Sequence, residues 1–218
     1  MPSSPQKNAR RRQDFYPTPF EVIKGLFGAL PPGVVFDLVI DPGAGPDGRI
    51  GRAFLAAGRA LQVELVDLQP PDLTIPADPR AHVSVGNAIA LLQAQTPPAG
   101  PILVGMNPPF TQAMAFLQGA VALINRSPGP GIVAQLAPLS FLGSAKRAGW
   151  FMLNPPARLG VIFPRPSFTS DGHTDSSEYV WILWYNSAAH QAGCSTGVTW
   201  LNCPKTSDWR GSGLPKIP

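Results

Sequence analysis

Apolar residues in this chain come in short runs, each halted by glycine, proline or a single polar side chain. Residues 34–40 (Val-Val-Phe-Asp-Leu-Val-Ile), 61–66, 101–106 and 132–136 have the length and aliphatic content of strands buried on both faces. Shorter or mixed runs near His82–Val85, at Arg158–Phe163 and at 178–185 bring the expected strands to seven, the last rich in aromatics. Between them the apolar period changes. Val22, Ile23, Leu26, Phe27 and Leu30 recur at helical spacing and predict a helix over about 20–30, with Thr18 as N-cap and Pro19 in the first position. Further helices are expected at Arg49–Ala57, at about 111–125 through Ala113, Phe116, Leu117, Ala120, Val121 and Ile124, and around Ser144, Lys146 and Arg147. Strands alternating with helices predict an α/β chain with a mostly parallel sheet and helices on both faces.

Composition narrows this. A chain of 218 residues with 44% hydrophobic content can bury one good core. Its 27 prolines, more than twice the usual share of about 5%, predict short elements joined by many loops. No apolar run reaches the roughly 18 residues of a membrane span, and the N-terminus has no apolar signal region, so a soluble cytoplasmic protein is expected. Cys194 and Cys203 are spaced unlike a zinc site and read as reduced thiols. The net charge of +4 has an uneven origin: Lys7, Arg10, Arg11 and Arg12 precede the first acid, and beyond them bases and acids balance. Residues 1–14 therefore read as a basic flexible arm, either tracking phosphates or simply solubilising the chain.

The chemistry gathers at the ends of the strands. The run at 101–106 stops at Asn107-Pro108-Pro109-Phe110. Two prolines lack N–H donors and cannot continue a ladder. Asn107 is thus expected at the carboxyl end of a strand, where open α/β sheets place ligands. The Asn107 side-chain oxygen and the Pro108 carbonyl offer two acceptors, and the Phe110 ring offers a flat surface. Together they suit a planar group with an exocyclic amine. A second copy, Asn154-Pro155-Pro156, lacks both the aromatic and the preceding strand and reads as a loop.

Upstream, Asp41-Pro42-Gly43-Ala44-Gly45-Pro46-Asp47-Gly48 places glycines at G-x-G-x-x-G spacing after a strand and before a helix, the setting of a nucleotide-binding turn. Asp67 follows Gly45 by 22 residues, close to the interval of about 20 at which an acid meets ribose hydroxyls. Leu68 is expected to pack on an adenine. An acid at a strand end can equally cap a helix.

With these residues in place, the chain resembles the S-adenosylmethionine-dependent amino-methyltransferases, and its Asn-Pro-Pro-Phe form is most similar to the N6-adenine DNA methyltransferases. The similar segments run from Phe15-Tyr16-Pro17-Thr18-Pro19 through the glycine turn, the strand-end acid, Gly86-Asn87 and Asn107-Pro108-Pro109-Phe110 to Arg165-Pro166-Ser167-Phe168. They span roughly residues 15–185. The resemblance implies a Rossmann-like, seven-stranded class I methyltransferase fold over 15–190, with 191–218 as an irregular extension. Its cofactor would be S-adenosylmethionine, met by Phe15, Tyr16, Thr18, Asp41, Pro42, Gly43, Gly45, Asp67, Leu68 and Asn87. The family often has an acid where this chain has Asn87, whose amide oxygen can accept the same hydrogen bond. Asn107, Pro108, Pro109 and Phe110 would be catalytic. Phe168, Arg165 and Ser140 would meet the substrate, with Ser140 inside Pro138-Leu139-Ser140-Phe141-Leu142 behind the target-base pocket. Lys146 and Arg147 suit phosphates or plain solvent.

No metal is implied. Asp171, His173 and Asp175 share one loop without a fourth ligand, which suits a mobile substrate lid. His82 shows no partner and reads as structural. The expected partner is DNA, single-stranded or with a flipped base. No separate target-recognition domain is visible, so selectivity is low, or comes from inserted loops, a recognition partner or a homodimer. The small size suits a phage or mobile-element enzyme. Other readings keep the chemistry and change the acceptor to RNA adenine or a protein glutamine amide, or keep the fold and lose turnover, as in a silent binding subunit. A nicotinamide enzyme would leave Asn-Pro-Pro-Phe unexplained.

Overall fold

The computed structural model describes residues 17–72, 77–168 and 176–203. Its centre is an eight-stranded sheet in the order β3-β2-β1-β4-β5-β7-β6-β8. In chain order the strands are β1 (Phe36–Pro42), β2 (Ala60–Asp67), β3 (Ala81–Val85), β4 (Ile102–Met106), β5 (Gly131–Pro138), β6 (Arg158–Phe163), β7 (Tyr179–Tyr185) and β8 (Gly197–Asn202). The first five run parallel, β7 is antiparallel to both of its neighbours, and β8 is parallel to β6.

The helices are α1 (Phe20–Ala29), α2 (Arg49–Ala56), α3 (Ala88–Ala94), α4 (Ala113–Arg126), α5 (Ala145–Leu153) and α6 (Ser187–Gln191). Two buried clusters divide them. Val22, Ile23 and Leu26 of α1, Phe54 and Leu55 of α2 and Ala189 of α6 lie on one face of the sheet. Leu92 of α3, Phe116, Leu117 and Ile124 of α4, and the half-buried Trp150 and Phe151 of α5 lie on the other. Strands β4 and β7 are buried at every position, which is why their sequences are unbroken apolar runs and not alternating ones.

The expected α/β architecture with a mostly parallel sheet is present, with one strand more than expected. The region beyond residue 190, anticipated as irregular, supplies the edge strand β8, and the short α6 just before it was not anticipated. Leu201 of β8 is buried against α1, and Cys203 just beyond it lies against Gly25, while Val198 and Trp200 stand exposed. Helix α3 was also unanticipated. Asn154-Pro155-Pro156 is the turn from α5 to β6, as its lack of an aromatic implied. Phe15, Tyr16, the basic arm, Asp171, His173 and Asp175 lie outside the described residues.

Two polar side chains fasten the scaffold. Arg59 reaches from the α2–β2 connection to the carbonyls of Phe27, Pro31 and Val34, and so secures the end of α1. Asn186 is buried at the amino-terminal end of β5. Its oxygen accepts from the backbone N–H groups of Gly131 and Ala189, both at 2.9 Å, and its nitrogen donates to the carbonyls of Ile124 and Gly129, also at 2.9 Å. Replacing this side chain strands four backbone groups away from water. Asn186→Ala is therefore expected to destabilise the protein by about 3 kcal/mol or more, read as a lower urea midpoint with an unchanged slope.

Candidate active site

Strands β1 and β4 are parallel neighbours, with Leu38, Val39 and Ile40 opposite Ile102, Leu103 and Val104. The chain leaves β1 toward β2 on one side and leaves β4 toward β5 on the other, so a crevice opens above their carboxyl ends. Asp41-Pro42-Gly43 emerges on one side of the crevice and Asn107-Pro108-Pro109 on the other. The two turns meet. A Cβ placed on Gly43 would lie 3.8 Å from Pro109 Cδ and 3.5 Å from Phe116 Cε1. Gly43 and Gly45 have φ of 74° and 66°, a region that side-chain-bearing residues rarely enter, so the turn depends on glycine. Gly43 and Ala44 donate their N–H groups to the Val66 carbonyl of β2, which fixes the turn against the sheet.

Asn107 is half-buried, and its amide nitrogen donates to Thr18 Oγ1 at 3.1 Å. Thr18 does not cap α1 as its sequence position suggested. Pro19 occupies the N-cap, no side chain caps the helix, and the Pro19 carbonyl takes the N–H groups of Val22 and Ile23. The Thr18 hydroxyl turns inward to β4 instead. Pro108 is buried, Pro109 half-buried, and the Phe110 ring is 48% exposed on the turn into α4. The start of α1 also touches the start of α2, just beyond the glycine turn, where the Arg49 guanidinium lies 5.3 Å over the Phe20 ring. Residues 18, 20, 43, 49, 107 and 109 thus form one connected neighbourhood.

Three of the polar residues expected to face a cofactor, Asp41, Asp67 and Asn87, are bonded to backbone. Asp41 is buried, and its Oδ2 accepts the Gly51 N–H at 3.0 Å, so it holds the first turn of α2. That helix sits very close to the sheet: a Cβ on Gly51 would fall 2.5 Å from both Leu65 Cδ2 and Val63 Cγ1. Asp67 accepts the Gly45 N–H on one carboxylate oxygen and the Gln69 N–H on the other, both at 2.9 Å. Each of its oxygens keeps a second lone pair for a ligand hydroxyl. Asn87 is the N-cap of α3: its oxygen accepts from Ile89 and Ala90 at 3.0 and 3.3 Å. The oxygen that the resemblance implies for the cofactor thus also caps a helix. Leu68, next to Asp67, is 74% exposed.

At the β5–β7 side of the same sheet edge, the Phe168 ring packs 4.6 Å from Tyr179, itself opposite Pro138. Arg165 forms an exposed ion pair with Glu178. Ser140 is exposed on a short 3-10 turn, Leu139–Phe141, that follows β5. Arg147 is held inward, with its guanidinium 4.3 Å over the Phe141 ring and its Nε donating to the Phe141 carbonyl, while Lys146 faces solvent. His82 does have a partner: its Nδ1 lies 2.6 Å from Glu64 Oε2 on the adjacent strand. Gln135 of β5, opposite Met106 and not anticipated from the sequence, is fully buried with no hydrogen-bond partner for its amide among the described residues. A polar residue inside an apolar strand run was its only signal.

No protein-family model matches the chain, and no curated protein matches it. Several solved structures are similar in fold. A Listeria monocytogenes protein assigned to the class I S-adenosylmethionine-dependent methyltransferases is 10% identical, covers 88% of this chain and 66% of its own, and has a TM-score of 0.53. The 23S rRNA methyltransferase ErmE is 15% identical over 80% of this chain and 70% of its own, with a TM-score of 0.52. The M protein of the type I restriction enzyme EcoKI is 17% identical over 94% of this chain but only 51% of its own, with a TM-score of 0.50. The fold is that of the class I methyltransferases. At these identities the likeness concerns the fold alone. Among the described residues no helix is long and apolar enough to cross a membrane.

Among the described residues Asp41 is the titratable group most perturbed by its surroundings. Burial, with Asp47 and Asp67 nearby, pushes its carboxyl up to about 7, against the opposing hydrogen bonds from Gly51 and Ile50. From about pH 4 to pH 7 the native state keeps a proton that the unfolded chain has released. Stability therefore falls as pH rises through this window and levels off above it. Asp41→Asn keeps the position neutral and is expected to remove a slope of about 1.4 kcal/mol per pH unit. Urea midpoints of both proteins between pH 4.5 and 8 test this, and parallel curves would contradict it.

Proposed function

We propose that this protein transfers a methyl group from S-adenosylmethionine to the N6 amine of adenine in DNA. The observation that carries the reading is the meeting of two turns at the switch point of the sheet. The glycine turn and the Asn107-Pro108-Pro109-Phe110 turn touch through Gly43 and Pro109, and the Asn107 amide is held in place by Thr18.

The residues of the crevice fit the cofactor. Gly43 and Gly45 expose backbone where a ligand must approach closely, Asp67 keeps acceptor capacity for ribose hydroxyls, and Leu68 offers an exposed apolar surface beside it. Asp41 serves indirectly, by fixing the start of α2 below the glycine turn. When bound, the cofactor supplies a methyl group activated by a sulfonium.

The exocyclic amine of adenine is a poor nucleophile because its lone pair is delocalised into the ring. Asn107 Oδ1 and the Pro108 carbonyl accept its two N–H groups, which favours a pyramidal nitrogen and localises the lone pair for attack. Asn107 is neutral, so it contributes orientation and electrostatics and is not a general base. The exposed Phe110 ring provides a stacking face for a base that has left the duplex or is already single-stranded. Phe168, packed on Tyr179 at the same edge, is a second aromatic for that base. A nucleic-acid acceptor agrees with fold neighbours that are named as an rRNA methyltransferase and a restriction-enzyme M protein.

The test is labelled methyl transfer from S-adenosylmethionine to unmodified DNA, with RNA and protein acceptors in parallel and nucleoside analysis of the product. N6-methyladenine from DNA is the expected result, and label confined to RNA or protein would move the acceptor. Asn107→Ala should lower the rate by about 10²-fold or more while cofactor affinity stays nearly constant. Wild-type turnover in that variant would refute the assigned role.

A further inference from the structure

Thr18 and Asn107 are 89 residues apart, yet their side chains form a hydrogen bond at the mouth of the crevice. Threonine before proline at a helix start ordinarily spends its hydroxyl on the helix. Here the Pro19 carbonyl serves the first N–H groups and the hydroxyl is directed to the end of β4. Thr18 is only 5% exposed, and the proline after it restricts its backbone to extended conformations. Helix α1 behind it is fixed along its length. The Trp181 indole donates to the Val22 carbonyl at 2.9 Å, Arg59 binds the carbonyls at its end, and Gly25 packs so closely on Cys203 that a Cβ would lie within 2.4 Å of the sulfur. The hydroxyl is therefore presented to Asn107 by a rigid support.

We propose that Thr18 is a positioning residue that fixes the torsion of the Asn107 amide, keeping its nitrogen inward and its oxygen turned toward the acceptor amine. This rests on the methyl-transfer reading above. The terminal torsion of asparagine is broad and nearly two-fold, so nothing intrinsic to the side chain selects one orientation. An amine offers only N–H donors, and an amide presenting its own NH₂ would oppose them donor to donor. A partner for the amide nitrogen on the inner side removes that unproductive population before the substrate arrives, which is preorganisation of the acceptor.

The test compares Thr18→Val, close in shape but lacking the hydroxyl, with Thr18→Ser, which restores it. The wild type is assayed first: if it transfers no methyl group to any acceptor, the functional reading itself has failed, whatever Thr18 does. Given an active wild type, Thr18→Val is expected to lower kcat by roughly 10- to 100-fold, with cofactor Kd by calorimetry within about twofold of wild type. Thr18→Ser should recover most of kcat. Should Thr18→Val fold poorly, as its urea midpoint would reveal, Thr18→Ala at the same buried position is expected to show the same loss of kcat. Unchanged kcat in the folded variant would overturn the proposal. So would a fall in activity matched by an equal weakening of cofactor binding, which would make Thr18 an ordinary cofactor contact.

Discussion

The register between β1 and β4 governs everything at the crevice. Ile40 lies opposite Val104, so Gly43 and Asn107 leave the sheet at the same height on adjacent strands. In a strand, successive side chains point to opposite faces, and a slip of one residue would turn Asn107 to the α4 face, away from Thr18. Such a slip is resisted by the core itself. Leu103 belongs to the cluster under α1 and α2, while Ile102, Val104 and Met106 belong to the one under α3 and α4. Exchanging these two sets would misplace four fully buried side chains, so the position of the candidate catalytic amide is enforced by apolar packing well below it.

Much of this was legible in the chain because parallel strands covered on both faces leave an unmistakable pattern of apolar runs. β4, β5 and β7 are such runs, and their ends carry the turns where ligands are expected. Polar residues at element ends were the hardest to read. Asn87 was expected at the cofactor from the family resemblance, and its oxygen also caps α3, whose seven residues follow it. Thr18 looked like a cap because it precedes proline, but its hydroxyl is claimed by a residue far away in sequence. A polar side chain at a terminus can serve the helix or the site, and only the three-dimensional neighbours decide which. β8 was missed for another reason: it is an edge strand, with one face buried by Leu201 and the other open at Val198 and Trp200, so it lacks a continuous apolar signal. The pairing of His82 with Glu64 depends on the β2–β3 register, which spacing along the chain does not encode.

The acids around the crevice divide structural from chemical work. Asp41 and Asp67 both accept backbone N–H groups, one from α2 and one from the glycine turn itself. Loss of activity on replacing either would report a displaced turn as readily as a lost ligand contact. Asn107 and Thr18 differ, since their hydrogen bond joins two side chains. They are consequently the better probes of chemistry at this site.

That Asn107 is an amide and not a carboxylate also follows from its surroundings. Asp41, Asp47 and Asp67 already crowd the ends of β1 and β2, and the two others each help to raise the Asp41 carboxyl. A further carboxylate at the end of β4 would add to that repulsion and would itself be driven toward the protonated form. Protonated, it would present a donor where the proposed acceptor amine brings its own N–H groups; ionised, it would add to the negative charge of the crevice. A neutral amide avoids both outcomes. It accepts hydrogen bonds at any pH where the fold persists, while its nitrogen is bonded to the Thr18 hydroxyl.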